Sequence, residues 1–284
     1  MTTTSPPAGV GTAPVPGGNL AFEVHPGSTD PVLAIHGVSS QRRLWNWLRA
    51  HAPELTLIAP DLRGRADSVG VGGPFGMARH AADMVAVLDK LNLDRVHVIG
   101  MSMGGFVAVE LAAAHPDRVR TLTLVDGGPP VPPPPRVTPD LLPTIFADRI
   151  GRLAHEWASV EEYLAFFVEH TAPLLDPADP LLRDNLAHDL TADGRVRLSA
   201  DALLADAADV FFGESRWPEL TLPIRLSCAG WGAKPGAPPA YPTEAVDRLR
   251  LTRAVRLNGL DHAATIMTPR GAAAAATLLR EALA

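Results

Sequence analysis

The sequence predicts an α/β protein in which a mostly parallel sheet is flanked by helices. Short apolar runs, typical of strands buried on both faces, alternate along the chain with segments whose apolar residues recur at helical spacing. Repeated strand–helix–strand order favours a parallel sheet with helices on both of its faces. The 284 residues, 46% of them hydrophobic and 20% charged, are enough for one large α/β domain or two small ones.

The first half of the chain supplies most of the predicted strands. In the first predicted strand, apolar side chains alternate with others, and each later strand is a short apolar run. The predicted strands lie at residues 19–25, 31–35, 55–60, 96–99 and 119–126. The segments between them that favour helix lie at residues 43–48, 77–91 and 103–114. The last of these helices is ended by His115 and Pro116.

The alternation breaks after the strand that ends at Asp126. Residues 127–135 are a Gly- and Pro-rich exit from the sheet, and residues 138–217 contain helical segments without a convincing strand. We expect residues 129–217 to form an α-helical cap inserted into the α/β core, because this segment is too long for a simple connection. A small separate helical domain is the alternative.

The remaining segments complete the predicted domain boundaries. The Thr-, Pro- and Gly-rich residues 1–17 are expected to be a poorly ordered tail. The core then comprises residues 18–128 and 218–284. In its second part, strands are predicted at 223–229 and 254–257, and helices at 240–249 and 271–284.

Composition and charge argue against several classes of protein. A net charge of -6 without a cluster of Lys and Arg disfavours nucleic acid as a partner, and the apolar runs are too short to cross a membrane. The single cysteine, Cys228, excludes an intrachain disulfide and a multi-cysteine metal site. The N-terminus lacks the basic and apolar regions of a secretory signal, which predicts a cytoplasmic protein, and the overall composition is typical of a GC-rich bacterial genome.

The strongest local motif is Gly100-Met101-Ser102-Met103-Gly104, which follows a β-branched run and opens a helix. This G-x-S-x-G pattern is typical of a nucleophile elbow, a turn so tight that larger side chains at the glycines would clash. Such a turn exposes the serine oxygen above the sheet. An ordinary Gly-rich turn between strand and helix is the simpler alternative, but we predict that Ser102 is a nucleophile.

Three further motifs accompany this serine in chain order. His36-Gly37 follows a buried strand, Pro60-Asp61-Leu62-Arg63-Gly64 precedes Ser68 in a polar loop, and Gly259-Leu260-Asp261-His262 follows the last strand. With the elbow, this ordered set resembles the α/β-hydrolase fold superfamily, in particular serine esterases with a helical cap, over nearly the whole chain after residue 18. The resemblance implies an α/β-hydrolase fold with the cap inserted after the strand that ends at Asp126.

A serine hydroxyl needs a base to take its proton, and His262 is the best placed of the ten histidines. It follows the last predicted strand, on the edge of the sheet where ligands bind. The resemblance also implies an oxyanion hole made by the backbone N–H groups of Met103, the residue after the nucleophile, and of Val38. His36 is expected to hold the shape of the Val38 loop by hydrogen bonds rather than to transfer protons.

The acid that would orient His262 departs from the family pattern. Relatives carry it after the strand that follows the cap, but residues 229–236 contain no carboxylate. We favour Asp126, which ends the strand after the elbow helix and would point to the same edge as Ser102 and His262. The alternatives are a more distant carboxylate, a Ser-His dyad or an inactive site; the more distant candidates are Asp209, Glu214 and Glu244.

These residues favour a serine hydrolase that cleaves a small or medium, largely apolar carboxylic ester or thioester through an acyl-enzyme. C–C bond hydrolases, lactonases, amidases and perhydrolases would use the same residues, and a non-hydrolytic, ligand-binding member is the alternative from another class. Serine at the elbow disfavours epoxide hydrolase and dehalogenase chemistry, whose relatives use aspartate there. We expect a small-molecule substrate, no cofactor, no metal and no nucleic-acid or membrane partner; the sequence does not indicate an oligomeric state.

Overall fold

A computed structural model describes residues 6–131, 137–232 and 235–284 of the chain and contains an eight-stranded sheet. The strands are β1 (Gly9–Val15), β2 (Gly18–His25), β3 (Val32–Ile35), β4 (Leu57–Pro60), β5 (Val96–Met101), β6 (Val119–Val125), β7 (Ile224–Ala229) and β8 (Arg253–Leu257). The helices are α1 (Asn46–His51), α2 (Met77–Lys90), α3 (Met103–Ala114), α4 (Leu142–Ile145), α5 (Ala147–Ala154), α6 (Val160–His170), α7 (Pro180–Asp189), α8 (Ala200–Phe212), α9 (Thr243–Val246) and α10 (Pro269–Leu283).

The order of strands across the sheet is β1-β2-β4-β3-β5-β6-β7-β8. β2 pairs antiparallel with β1 and with β4, and the pairs from β4 through β8 are parallel. Because parallel strands end at the same edge of a sheet, the loops after β3, β5, β6, β7 and β8 all open on one side. The predicted α/β class with a mostly parallel sheet flanked by helices is confirmed.

Alternate side chains of the central strands pack into two apolar layers. On β3, Leu33 and Ile35 join the core formed with α2 and α3, whereas Val32 and Ala34 join the core formed with α1 and α10. Burial on both faces explains why the central strands are continuous apolar runs in the sequence. In the described part of the chain, no helix combines the length and the apolar character needed to span a membrane.

The chain enters the sheet earlier than the sequence predicts. The expectation of a poorly ordered tail over residues 1–17 is wrong for Gly9–Val15, which forms β1 and pairs along its length with β2. Ala13 and Val15 are buried, while Pro14 between them is exposed at the edge of the sheet, where its missing N–H is tolerated. The Pro and Gly content therefore belongs to an edge hairpin. Residues 1–5 of the predicted tail lie outside the described residues.

Among the described residues between β6 and β7 there are five helices, α4 to α8, inside the segment predicted as 129–217. α8 packs against α2, α3 and α4, and α7 packs against α1 and α6. The segment therefore rests on helices of the α/β core. Residues 132–136 of the predicted Gly- and Pro-rich exit lie outside the described residues.

Candidate active site

Ser102 lies in the turn between β5 and α3 with a strained backbone. Its φ of 54° and ψ of -124° lie in a region that residues other than glycine rarely adopt. A Cβ at Gly104 would overlap the carbonyl oxygen of Ile35, and a Cβ at Gly100 would overlap that of Gly104. Close approach of the backbone therefore requires glycine at both positions of the G-x-S-x-G motif.

Asp126 and His262 reach the same edge of the sheet from two other strands. Asp126 directly follows β6, and His262 lies in the loop after β8. Nδ1 of His262 is 2.6 Å from Oδ2 of Asp126, a distance typical of a charge-assisted hydrogen bond. Because a carboxylate accepts, Nδ1 carries the proton and Nε2 remains able to accept another. The Asp126 side chain is 2% exposed and that of His262 is 34% exposed, so the histidine is much the more exposed of the two.

The second oxygen of Asp126 shows how an acid after β6 reaches the end of β7. Oδ1 accepts from the backbone N–H of Ala229, the last residue of β7, at 3.0 Å. β6 and β7 are neighbours in the sheet, so the Asp126 carboxylate, which follows β6, contacts the end of β7. It therefore lies at the start of the 229–236 loop, which has no carboxylate of its own. Of that loop, residues 233 and 234 lie outside the described residues.

The alternative carboxylates are engaged elsewhere or face solvent. Asp209 accepts from the backbone N–H of Met77 at the start of α2, at 2.6 Å, and both Glu214 and Glu244 are exposed. Asp261, although adjacent to His262, accepts from the N–H of Ala264. Among the carboxylates considered, Asp126 is the one that the structure brings into contact with the His262 ring.

A cavity of about 360 Å³ opens at this edge and is lined by Ser102, Asp126 and His262. Its volume lies toward the lower end of the range for small-molecule sites. Most of the other side chains that line it are apolar and come from both the core and the α4–α8 segment: Leu44, Met101, Phe106, Val131, Ile145, Phe146, Phe167, Val210, Phe211 and Met267.

The two predicted oxyanion donors, Val38 and Met103, line the same cavity. Within the ranges that the structure describes, neither backbone N–H donates a hydrogen bond to a protein acceptor. A Cβ at Gly37 would lie 3.2 Å from Cβ of Ser102, so the loop after β3 runs directly against the serine. Both N–H groups are therefore free of protein acceptors beside the cavity, and their role as oxyanion donors stays a prediction.

His36 holds this loop through hydrogen bonds at both ring nitrogens. The fully buried ring donates from Nδ1 to the carbonyl oxygen of Gly37 at 2.8 Å and accepts at Nε2 from the N–H of Leu62 at 3.0 Å. Burial lowers the pKa of His36 from 6.5 to about 4, so the ring is neutral at neutral pH. Protonation of Nε2 would remove the acceptor for Leu62.

Acidification is therefore expected to destabilise the folded chain through His36. Because its pKa is lower in the folded state, the unfolded chain binds more protons between pH 6.5 and 4, and the free energy of unfolding falls as the pH falls through this window. We expect His36 to account for a loss of up to about 3 kcal/mol, measured by urea unfolding at stepped pH. The pH dependence should be shallower in His36→Gln than in wild type or in the control His51→Gln at an exposed position; three equal slopes would contradict this.

A buried arginine that the sequence analysis did not single out supports the Val38 loop. Arg65 donates to the carbonyl oxygen of Val38 from Nε at 3.1 Å and from Nη2 at 2.9 Å, and its Nη1 pairs with Asp206 of α8 at 2.5 Å. Asp206 also accepts from His80 and from the N–H of Gly76. The sequence does contain an indication of this pair. Asp206 is the one carboxylate among the buried residues of α8, and a buried charge requires a partner.

In the part of the chain that the structure describes, one cluster of potential metal ligands lies outside the cavity lining. Asp61, Asp67 and His188 each bring one ligand atom to within 4.8 Å of the others. Arg42 pairs with both carboxylates, and Arg197 also pairs with Asp67. Because guanidinium groups already compensate these charges, the cluster has the character of a structural ion-pair network.

Curated relatives match the chain over parts of its length. The chain is 42% identical to Lipase LipV of Mycobacterium tuberculosis over 95 residues, which cover 34% of this chain and 36% of the lipase. This match thus spans about a third of the length of that relative. A longer match, 26% identical over 218 residues, links it to a putative 2-succinyl-6-hydroxy-2,4-cyclohexadiene-1-carboxylate synthase of Bacillus subtilis, covering 74% of this chain and 76% of that protein.

The fold and a family model agree on the family. The structure superposes on that of a hydrolase from Pseudomonas aeruginosa with a TM-score of 0.72 at 18% sequence identity, over 95% of this chain and 98% of that one, which shows a shared fold. A family model described as alpha/beta hydrolase fold matches residues 30–176, just over half of the chain. The chain belongs to the alpha/beta hydrolase fold family.

Proposed function

We propose that this protein is a serine hydrolase that cleaves a small or medium, largely apolar carboxylic ester or thioester. In this mechanism, Oγ of Ser102 attacks the carbonyl carbon while Nε2 of His262 takes the serine proton. His262 then gives that proton to the leaving group, and an acyl-enzyme remains on Ser102. His262 then takes a proton from a water molecule, which attacks the acyl carbon. The bond between that carbon and Oγ of Ser102 breaks, His262 returns the proton to Oγ, and the acid is released.

Asp126 and two backbone amides complete the proposed machinery. Asp126 orients His262, keeps the proton on Nδ1 and stabilises the imidazolium that forms during each step. The N–H groups of Val38 and Met103 would stabilise the negative oxygen of the tetrahedral intermediate. Each such donor typically contributes about 2.7–4 kcal/mol to the lowering of the barrier.

One observation carries the proposal: the 2.6 Å contact between His262 and Asp126 beside a cavity that also exposes the strained Ser102. A strained, positive-φ serine persists only where the surrounding fold maintains it, and such strain concentrates at functional sites. The same contact weakens the case for a non-hydrolytic protein, because it offers His262 an acid although the loop after β7 has no carboxylate.

The cavity supports the proposed substrate class. Its volume of about 360 Å³ suits a small or medium molecule, and its mostly apolar lining favours an apolar body. Phe146, Phe167 and Phe211 line it from the α4–α8 segment, which supports the interpretation of this segment as a cap over Ser102. LipV is named as a lipase, which supports ester cleavage; lactone, C–C bond and perhydrolysis chemistry would use the same residues.

A fluorophosphonate probe tests the nucleophile directly. Attack by Oγ of Ser102 on phosphorus would displace fluoride, so we expect rapid labelling of one site per chain, detected by intact-protein mass spectrometry. Ser102→Ala should abolish labelling. Ser40→Ala removes another serine hydroxyl from the cavity lining and should label like the wild type. No labelling of the wild-type protein, or continued labelling of Ser102→Ala, would refute the proposal.

A further inference from the structure

Arg149 is the one Lys or Arg side chain among the described residues that line the cavity. It belongs to α5, in the segment that we propose as a cap. Its guanidinium carbon lies 5.4 Å from the centre of the Phe146 ring, which also lines the cavity. The mostly apolar cavity therefore contains a positive charge close to an aromatic wall.

This charge lacks a partner within the described part of the chain. Nε of Arg149 is buried and makes no hydrogen bond, and no carboxylate forms an ion pair with the guanidinium. The adjacent Asp148 is exposed, and the residues outside the described ranges include no aspartate or glutamate. Arg149 as a whole is half-buried. Partial burial of a cation without an ion-pair partner is costly, so the fold gains when an anion binds there.

Other arginines of the same segment are engaged by protein groups. Arg152, one turn further along α5, donates to the hydroxyl of Tyr163 at 2.8 Å and to the carbonyl oxygen of Ser39 at 3.0 Å. Arg183 pairs with Glu161 at 2.6 Å on the surface. Arg149 thus differs from its neighbours both in facing the cavity and in having no partner there.

A second donor without a partner lines the cavity. The side-chain nitrogen of Asn185, on α7, is buried and makes no hydrogen bond among the described residues, and the residue is 4% exposed. Asp189 also lines the cavity, but its Oδ2 accepts from the Tyr163 hydroxyl at 3.2 Å. The two buried side-chain atoms of the lining that lack a hydrogen bond among the described residues are therefore both donors, which suit an occupant that brings acceptors.

We propose that Arg149 binds a carboxylate of the substrate, which makes the substrate an ester or thioester with an apolar body and one anionic end. The planar guanidinium matches the two oxygens of a carboxylate, and the Asn185 amide supplies a further N–H donor. A single cation suits a monoanion. This inference rests on the proposed hydrolase function, because Ser102 and Arg149 share one cavity.

Two esters that differ only at one end test the preference. The p-nitrophenyl monoester of adipic acid carries a carboxylate where p-nitrophenyl hexanoate carries a methyl group. We expect kcat/KM to be about tenfold or more higher for the anionic ester, in line with a charge-assisted hydrogen bond to a half-buried guanidinium. Arg149→Gln should reduce this ratio by about tenfold or more, whereas Arg149→Lys should retain part of it. The surface variant Arg183→Gln removes one cap arginine outside the cavity and should keep the wild-type ratio.

A binding measurement separates this inference from the hydrolase proposal. Ser102→Ala retains Arg149, so calorimetry should show that it binds monomethyl adipate about tenfold or more tightly than neutral dimethyl adipate. The added change Arg149→Gln should remove the difference. This comparison does not depend on turnover or on which end of the ester lies near Ser102. If the wild type hydrolyses neither ester but Ser102→Ala still prefers the anion, the hydrolase proposal fails and the carboxylate site stands.

Three outcomes would overturn the carboxylate site. The first is that Ser102→Ala binds monomethyl adipate and dimethyl adipate with equal affinity. An Arg149→Gln protein that loses activity equally on both p-nitrophenyl esters is the second, since that pattern indicates a structural role. The third is that both the wild type and Arg149→Gln have a higher kcat/KM for p-nitrophenyl hexanoate than for the anionic ester.

Discussion

Asp126→Asn is expected to lower kcat by about 10⁴-fold while the fold is retained. The orientation of the new side chain follows from the contacts of the carboxylate it replaces. Oδ1 of residue 126 accepts from the N–H of Ala229, so the amide oxygen of asparagine will keep that place and its NH₂ group will face His262. An NH₂ donor requires Nδ1 of His262 to accept, so the ring proton moves to Nε2. Nε2 can then no longer take the proton of Ser102.

Asp261→Asn is the matched control for this variant. Asp261 is adjacent to His262 and buried, but its Oδ1 accepts from the N–H of Ala264 rather than from the ring. We expect its kcat to stay within about tenfold of wild type, because the tautomer of His262 does not depend on it. Steady-state kinetics on p-nitrophenyl esters, with thermal unfolding to confirm the fold, provide the measurement. An Asp126→Asn enzyme as active as Asp261→Asn would show that Asp126 is not the acid.

The part of the site that the sequence predicts best is the part imposed by local backbone contacts. Glycine is required at positions 100 and 104 because a Cβ there would overlap carbonyl oxygens a few residues away or on the neighbouring strand. The position of His262 after the last strand was likewise readable, since parallel strands end at one edge. The contact between Asp126 and Ala229 was not readable, because it depends on β6 and β7 being neighbours in the sheet although the whole α4–α8 segment separates them.

The features that the sequence analysis missed depend on contacts that the composition of each segment does not show. β1 has a composition typical of a disordered segment, and it becomes a strand because β2 offers a hydrogen-bonding partner along its length. Asp206 could be recognised as a charge on a buried helix stripe, but its partner Arg65 lies in a loop about 140 residues earlier. Arg149 carries no local signal, since only the folded cavity shows that it lacks a partner.

The ion pair between Asp206 and Arg65 links the α4–α8 segment to the core, and Asp206→Asn is expected to destabilise the protein by about 3–5 kcal/mol. Burial alone would raise the pKa of Asp206, but the hydrogen bond from His80 and the charge of Arg65 hold that pKa below its usual value, so the carboxylate is charged at neutral pH. Asparagine keeps an acceptor for the N–H of Gly76 but leaves the guanidinium of Arg65, which is 1% exposed, without a counter-charge. Urea unfolding at pH 7 measures the loss.

Asp209→Asn separates this charge effect from a general weakening of α8. Asp209 lies one turn further along α8 and accepts from the N–H of Met77 beside Gly76, without a basic partner among the described residues. Because the amide oxygen of asparagine can still accept from Met77, Asp209→Asn should cost less than the about 1 kcal/mol of a removed helix cap. Asp206→Asn should also affect catalysis, because its partner Arg65 donates twice to the carbonyl oxygen of Val38. We expect kcat to fall by a larger factor than KM rises, which is the pattern expected when an oxyanion donor is displaced and the binding surface is unchanged. If the two variants lose stability equally, or if Asp206→Asn raises KM alone, the ion pair does not position the Val38 loop.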